Sequence, residues 1–245
     1  MAGILNISRI MKSLKLNKWD KLSNVFDTYI KKNQINSAVA DNVEILWPLL
    51  FKIISSIKKH DVSVLDYGCG CGGFCEMLSS KGFKVTGIDM AKKMISRAKK
   101  NSSGKVTYYA GDINVLNAED NNFNAITSMM VFQFIQDVSF YIQYFHKLLL
   151  KDGVVVIAVF NPKFVEKCKG SEQLFTKHNK LQINGTFIDT YIRSENEYKK
   201  LFSQSGFKLL CSSYPKFTKE FVRKYKWGLP SDVSEYLVMT FVKKE

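Results

Sequence analysis

Three carboxylates and a glycine-rich turn are the residues of this chain whose types and spacing could do chemistry. The run Val62-Ser-Val-Leu-Asp66-Tyr-Gly68-Cys-Gly70-Cys-Gly72-Gly73-Phe74 is apolar and β-prone, then acidic, then breaks into four glycines within six positions. Glycine lacks a Cβ and reaches positive φ cheaply, so backbone at such a turn can pass close to a ligand. A helix that follows offers unsatisfied N–H donors at its start. The pattern reads as a pocket for a nucleotide-like cofactor at the top of a first strand. The spacing Gly68-x-Gly70-x-x-Gly73 also fits a dinucleotide fingerprint, and Asp89 follows about twenty residues on, where a ribose diol is held. Two features argue against a pyrophosphate. Asp66 immediately precedes the turn, and a further acid, Asp112, follows the next apolar run in Val106-Thr-Tyr-Tyr-Ala110-Gly111-Asp112-Ile113. An acidic rim suits a cofactor carrying an ammonium and a sulfonium better than one carrying two phosphates.

The elements needed to position these residues are visible in the pattern. Apolar runs at Ser63–Tyr67, Lys84–Asp89, Val106–Ala110, Ala125–Met129 and Val154–Val159 read as strands. Helical periodicity fills Gly72–Lys81, Ala91–Asn101 and Val138–Leu150 between them. Such alternation means βαβ units, a parallel sheet, and ligands at the carboxyl ends of the strands. Residues 1–60 read as a helical N-terminal cap and 61–245 as the main domain, with Pro48 kinking or starting a helix inside Val39–Ile57. The polar stretch 161–193 reads as a substrate lid. Ser194 and Glu197 form a capping box for a helix that Gly206 stops, and strands follow at Phe207–Tyr214 and Tyr236–Val242.

Five stretches, in order, resemble the class I S-adenosylmethionine-dependent methyltransferases, in their small-molecule branch. They are Leu65-Asp66-Tyr67-Gly68-Cys69-Gly70, Gly87-Ile-Asp89-Met90-Ala-Lys-Lys-Met94, Gly111-Asp112-Ile113, Phe123 to Ile135, and Leu148 to Ile157. The resemblance implies a doubly wound, Rossmann-like sheet of seven strands, mostly parallel, whose last strand is antiparallel. It implies S-adenosyl-L-methionine as cofactor and S-adenosyl-L-homocysteine as product. It places Asp66 and the amides of Gly68, Cys69 and Gly70 against the methionine moiety. Asp89 takes the ribose, Met90 the adenine face, Asp112 and the Ile113 amide the adenine edge, Met129 the ammonium, and Gln133 the methyl group. Tyr29 resembles an N-terminal tyrosine that covers the cofactor. The chain departs from the family at Cys71, Asn124 and Lys151-Asp152-Gly153, where a small or hydroxylic residue, an aspartate and a Pro-Gly-Gly turn are usual.

Methyl transfer from a sulfonium needs alignment more than a catalytic apparatus. A base helps only where the nucleophile carries a proton held at high pKa. His178, in the lid, is the candidate base; Asn161, Tyr191 and Arg193 are candidate substrate contacts. The five cysteines have no zinc spacing, so no metal is expected, and they read as packing thiols in a reducing, cytoplasmic setting. No apolar stretch approaches the roughly 18 residues of a membrane span. A net charge of +14 over 245 residues leaves RNA as a possible partner, with Lys216–Trp227 as the contact. The spacing of four between Phe217, Phe221 and Tyr225 favours packing instead. The expectation is a methyltransferase acting on a small organic acceptor at oxygen or nitrogen, with carbon also open. An RNA-modifying enzyme and a non-catalytic cofactor-binding protein are the alternatives.

Overall fold

A computed structural model describes residues 18–27, 39–118, 123–169, 174–226 and 228–244. The alternation expected from the sequence folds into β1 (Ser63–Tyr67), α2 (Gly73–Ser80), β2 (Lys84–Asp89), α3 (Lys92–Asn101), β3 (Thr107–Ala110), β4 (Phe123–Met129), α4 (Ser139–Leu148) and β5 (Leu149–Phe160). Before them stands α1 (Trp47–Ser55). After them come α5 (Pro162–Lys169), the hairpin β6 (Lys180–Ile183) and β7 (Thr186–Asp189), α6 (Glu195–Gln204), β8 (Phe207–Ser213), α7 (Lys219–Tyr225) and β9 (Tyr236–Lys243).

The main sheet has the order β3-β2-β1-β4-β5-β9-β8. β1 pairs in parallel with β2 on one side and β4 on the other, and only β9 runs antiparallel to its neighbours. The chain therefore reverses its direction of winding between β1 and β4, and a crevice opens there above the carboxyl ends of the strands. The expected seven-stranded, mostly parallel sheet is the one found.

Strand periodicity sorts the core into two layers. Leu65, Tyr67, Ile88, Ile126, Val155 and Ile157 point to one face, where α4 and α6 supply Ile142, Phe145, Tyr198 and Phe202. Phe202 stacks on Phe241 with ring centroids 3.8 Å apart. Val64, Val85, Ala125, Val156 and Val238 point to the other face and meet α1, α2 and α3 through Leu50, Phe74, Leu78 and Ile95.

Pro48 acts as expected. It has no N–H to give, and the helix before it widens into a π turn over Asn42–Leu46, with the Trp47 N–H reaching Asn42 O. The capping box at Ser194 is complete in both directions. The stretch 161–193, read from sequence only as a polar lid, contains α5 and the β6–β7 hairpin. The hairpin turns on Asn184-Gly185, both at positive φ, which is the two-residue connection that matches strand twist. The packing reading of Lys216–Trp227 is supported through Phe217, Phe221 and Tyr225, whose rings lie 5.0 and 4.8 Å apart in succession on and before α7. Trp227 and Tyr29 lie outside the described residues.

Candidate active site

A cavity of about 860 Å³ opens above the β1–β4 junction. That volume lies at the upper end for small-molecule sites. Gly68, Cys69, Gly70, Asp89, Met90 and Met129 stand on its wall, which are the strand-end positions named from sequence.

The glycine turn is closed by its own contacts. The Gly68 and Cys69 amides both donate to Ile88 O, at 2.8 and 3.0 Å. The Gly70 amide donates to Asp89 Oδ2 at 2.9 Å, and the Ala91 amide to Asp89 Oδ1 at 2.8 Å. The expectation that these three turn amides face a methionine moiety is therefore corrected: their hydrogens already have carbonyl or carboxylate partners. Close approach of backbone is what the turn offers. Gly70 has φ +55°, and a Cβ built there meets nothing within 4 Å, so its missing side chain leaves open space on the cavity wall. Gly68 has φ +78°, and a Cβ there would stand 2.2 Å from Val131 Cγ2, so the close packing of the β4 loop against the turn requires glycine.

Asp89 bridges the turn and the start of α3. Burial pushes its carboxyl up to about 6, while the Ala91 and Gly70 amides pull the other way. Each oxygen accepts one amide and retains a lone pair for a further donor. Such a carboxylate beside open backbone fits the two hydroxyls of a ribose.

Asp66 is a correction. It is only 2% exposed and is not on the cavity wall. Strand alternation turns it to the Val64 side, toward α2, where Thr127 Oγ1 donates to Oδ1 at 2.8 Å and Cys75 Sγ lies 3.4 Å from Oδ2. Burial pushes its carboxyl up to about 6, opposed by those two contacts. Asp112 and Ile113 also stand back from the cavity. The Ile113 amide donates to Asp112 Oδ1 at 2.8 Å, and the Tyr141 hydroxyl to Asp112 Oδ2 at 3.3 Å. Tyr141 itself lines the cavity, as does Tyr67, with ring centroids 5.5 Å apart. Asp112 thus reaches the site through Tyr141.

Gln133 is 1% exposed and lies behind the wall made by Met130, Val131 and Phe134. Its backbone carbonyl accepts the Tyr191 amide at 2.7 Å. Asn161 is 4% exposed and structural: Nδ2 donates to Ser234 O at 2.8 Å and Oδ1 accepts the Lys163 amide at 3.1 Å, which starts α5. Arg193 is a clamp. Its guanidinium donates to the carbonyls of Phe132, Ile135, Gln136 and Tyr191, holding the loop whose residues line the cavity. Tyr191 and His178 are absent from the wall, and His178 is exposed. None of Asn161, Tyr191, Arg193 and His178 lines the cavity.

Sequence reasoning placed a lid over the site but named none of the residues that line the other half of the cavity. Leu174, Leu181 and Ile183 form a roof, and Trp19 and Phe26 close one side. Trp19 packs edge-on to Phe134 at 4.8 Å. Asp41 and Glu235 also stand on the wall, brought together from opposite ends of the chain. The signal for Glu235 was its place just before the last strand, level with the carboxyl ends of the others. Among the described residues no group of histidine, cysteine or acidic side chains could hold a metal, and no helix is long and apolar enough to cross a membrane.

The family described as "Methyltransferase domain" matches residues 31–212, about three quarters of the chain. The chain belongs to the class I S-adenosylmethionine-dependent methyltransferases. Among curated relatives, a ubiquinone biosynthesis O-methyltransferase of Pelagibacter ubique is 36% identical over 115 residues, covering 45% of this chain and 48% of the relative. A malonyl-[acyl-carrier protein] O-methyltransferase of Bacillus anthracis is 31% identical over 147 residues, covering 58% and 54%. The chain thus spans about half the length of these relatives. Among solved structures, the magnesium protoporphyrin IX methyltransferase of Synechocystis, with bound S-adenosylhomocysteine, superposes with a TM-score of 0.62 at 16% identity, over 98% of this chain and 99% of that one. This methyltransferase shares with it the fold.

Proposed function

We propose that this methyltransferase moves a methyl group to the oxygen or nitrogen of a small, largely apolar acceptor. The supporting observation is one cavity with two unlike ends. One end carries the open Gly70 backbone and the Asp89 carboxylate; the other is an apolar chamber under Leu174, Leu181 and Ile183. S-adenosylmethionine supplies a methyl group on a cationic sulfur that leaves as a neutral thioether.

In this reading Asp89 receives the ribose hydroxyls, Met90 packs on the adenine, and Tyr67 and Tyr141 bound the same end, with Asp112 fixing Tyr141. The rims at Gly68, Gly70 and Met129 receive the amino-acid end by shape and by carbonyl oxygens. Segment 161–193 serves as a substrate lid through its hairpin, excluding water from the chamber. The chain's task is to hold the acceptor in line with the methyl group, which accounts for most of the rate where the leaving group is already activated. The names of the curated relatives favour oxygen as the atom methylated.

Calorimetry with S-adenosylhomocysteine tests the cofactor end. Asp89→Ala removes two charge-assisted hydrogen bonds, and the expected loss is about 100-fold in affinity. A variant that binds within threefold of the parent protein refutes the assignment. Transfer of tritiated methyl to fractionated extract tests the acceptor class. Label is expected in the small-molecule fraction, and label confined to RNA replaces this reading with an RNA-modifying one.

A further inference from the structure

Asp41 and Glu235 lie on the chamber side of the cavity, 9% and 5% exposed. Asp41 precedes the π turn at Asn42–Leu46, and irregular turns of this kind recur where a side chain is aimed at a ligand. The Tyr236 hydroxyl donates to Asp41 Oδ2. Glu235 Oε2 is buried with no hydrogen-bond partner among the described residues, and so are Asn42 Oδ1 and Trp47 Nε1, whose residues line the same wall. A buried polar atom left unpaired is costly, and three of them within one stretch of wall make this end of the cavity a polar one.

The two carboxyls are unequal. Burial and the Asp41 charge hold Glu235 well above the ordinary carboxylate range. Asp41 is raised by burial, but the Tyr236 hydroxyl and the backbone amides around it oppose the rise. Two neighbouring buried carboxyls resist carrying two charges, so the pair shares a proton and presents a donor and an acceptor side by side. Besides these three groups, Cys168 is the titratable side chain that Glu235 influences among the described residues.

We propose that Asp41 and Glu235 form the polar end of the acceptor subsite and that they receive a neutral hydroxyl group on an otherwise apolar molecule. The proposal rests on the methyltransferase reading for the word acceptor, and on the cavity alone for the chemistry. A hydroxyl gives its hydrogen to the charged member of the pair and takes one from the protonated member. A carboxylate has no hydrogen to give and meets a like charge. An ammonium has no lone pair for the shared proton and must displace it to pair with both carboxyls. Of the two relatives' chemistries, a carboxyl acceptor such as a malonyl group is the one this pair would reject.

The test uses 4-butylphenol, 4-butylbenzoate and 4-butylbenzylammonium at pH 7, titrated calorimetrically into the full chain with and without S-adenosylhomocysteine. The phenol is expected to bind at least about tenfold more tightly than either charged probe, the scale of one buried hydrogen bond. Glu235→Leu is expected to lose that preference, and Tyr236→Phe, which frees Asp41 from its hydroxyl, to weaken it. Glu235→Gln keeps size and polarity and is expected to fold; an infrared band of a protonated carboxyl at pH 7 is expected in the parent protein and absent from this variant. Equal binding of the three probes, tighter binding of a charged one, or no binding of the phenol overturns the proposal. So does a tenfold loss of S-adenosylhomocysteine affinity in Glu235→Gln, since the pair would then serve the cofactor. Failure of the parent protein to bind S-adenosylhomocysteine refutes the cofactor reading instead and leaves the probe series to stand by itself.

Discussion

Replacing Asp66 with Asn separates a buried structural acid from a ligand contact. The folded protein holds Asp66 protonated up to about pH 6, against an ordinary value of 3.8. A carboxyl raised by folding binds more protons in the folded state than in the unfolded state across that window. Its stabilising contribution is therefore full below about pH 4 and is lost as pH rises through about 6. The shift from 3.8 to about 6 corresponds to about 3 kcal/mol by pH 7. An amide at this position carries no charge to desolvate and can still accept from Thr127 Oγ1, now 2.8 Å from the carboxyl oxygen. Asp66→Asn is expected to match the parent protein near pH 4 and to exceed it by up to about 3 kcal/mol at pH 7, or roughly 6–12 °C in Tm for a chain of this size. Urea and thermal unfolding between pH 4 and 8 measure this. S-adenosylhomocysteine affinity is expected to stay within threefold, because the carboxylate is off the cavity wall. A stability difference that does not vary with pH, or a variant less stable at pH 7, refutes the burial argument. A large loss of cofactor affinity with unchanged folding refutes the placement.

Three further outcomes follow from the geometry. Gly68→Ala forces a left-handed residue to carry a Cβ 2.2 Å from Val131, and thermal unfolding is expected to show a loss of about 2–4 kcal/mol together with weaker cofactor binding. Arg193→Lys replaces a planar fork on four carbonyls with a single ammonium, so the 132–136 loop loosens; about 2 kcal/mol of stability is expected to go, read in urea, and unchanged stability would deny the clamp. His178→Gln is expected to leave turnover unchanged across pH once an acceptor is in hand, since the imidazole is exposed and off the cavity; a lost acidic limb in the pH profile would restore it as a base.

The sheet was readable because short β-prone runs alternate with stretches of helical period, and the Ser194 cap and Gly206 stop are local signals. Asp89 was readable for the same reason: its place at a strand end, beside a glycine turn, fixes its surroundings within a short stretch of chain. Asp66 was legible in position but not in direction, since a strand alternates its faces and one residue's shift turns a cavity contact into a core acid. The hairpin at Asn184-Gly185 had a clear turn signal that its polar flanks concealed. Glu235 had its place before the last strand as a signal, but nothing local pairs it with Asp41. The Tyr236 hydroxyl and Asp41 meet across a separation of 195 residues, and only the antiparallel insertion of β9 beside β5 brings them together.

Much of the roof and far wall of the cavity comes from two stretches whose apolar residues pack in a cluster apart from the β1–β4 core: residues 174–184 and 229–235. Neither pairs with β1, β2, β3 or β4, so in the proposed reading they can be exchanged without disturbing the Asp89 end of the cavity. Evolution, or an engineer, can thus rewrite what is methylated while the donor half stays as it is. A graft of those stretches from a relative is expected to carry the relative's choice of acceptor with it.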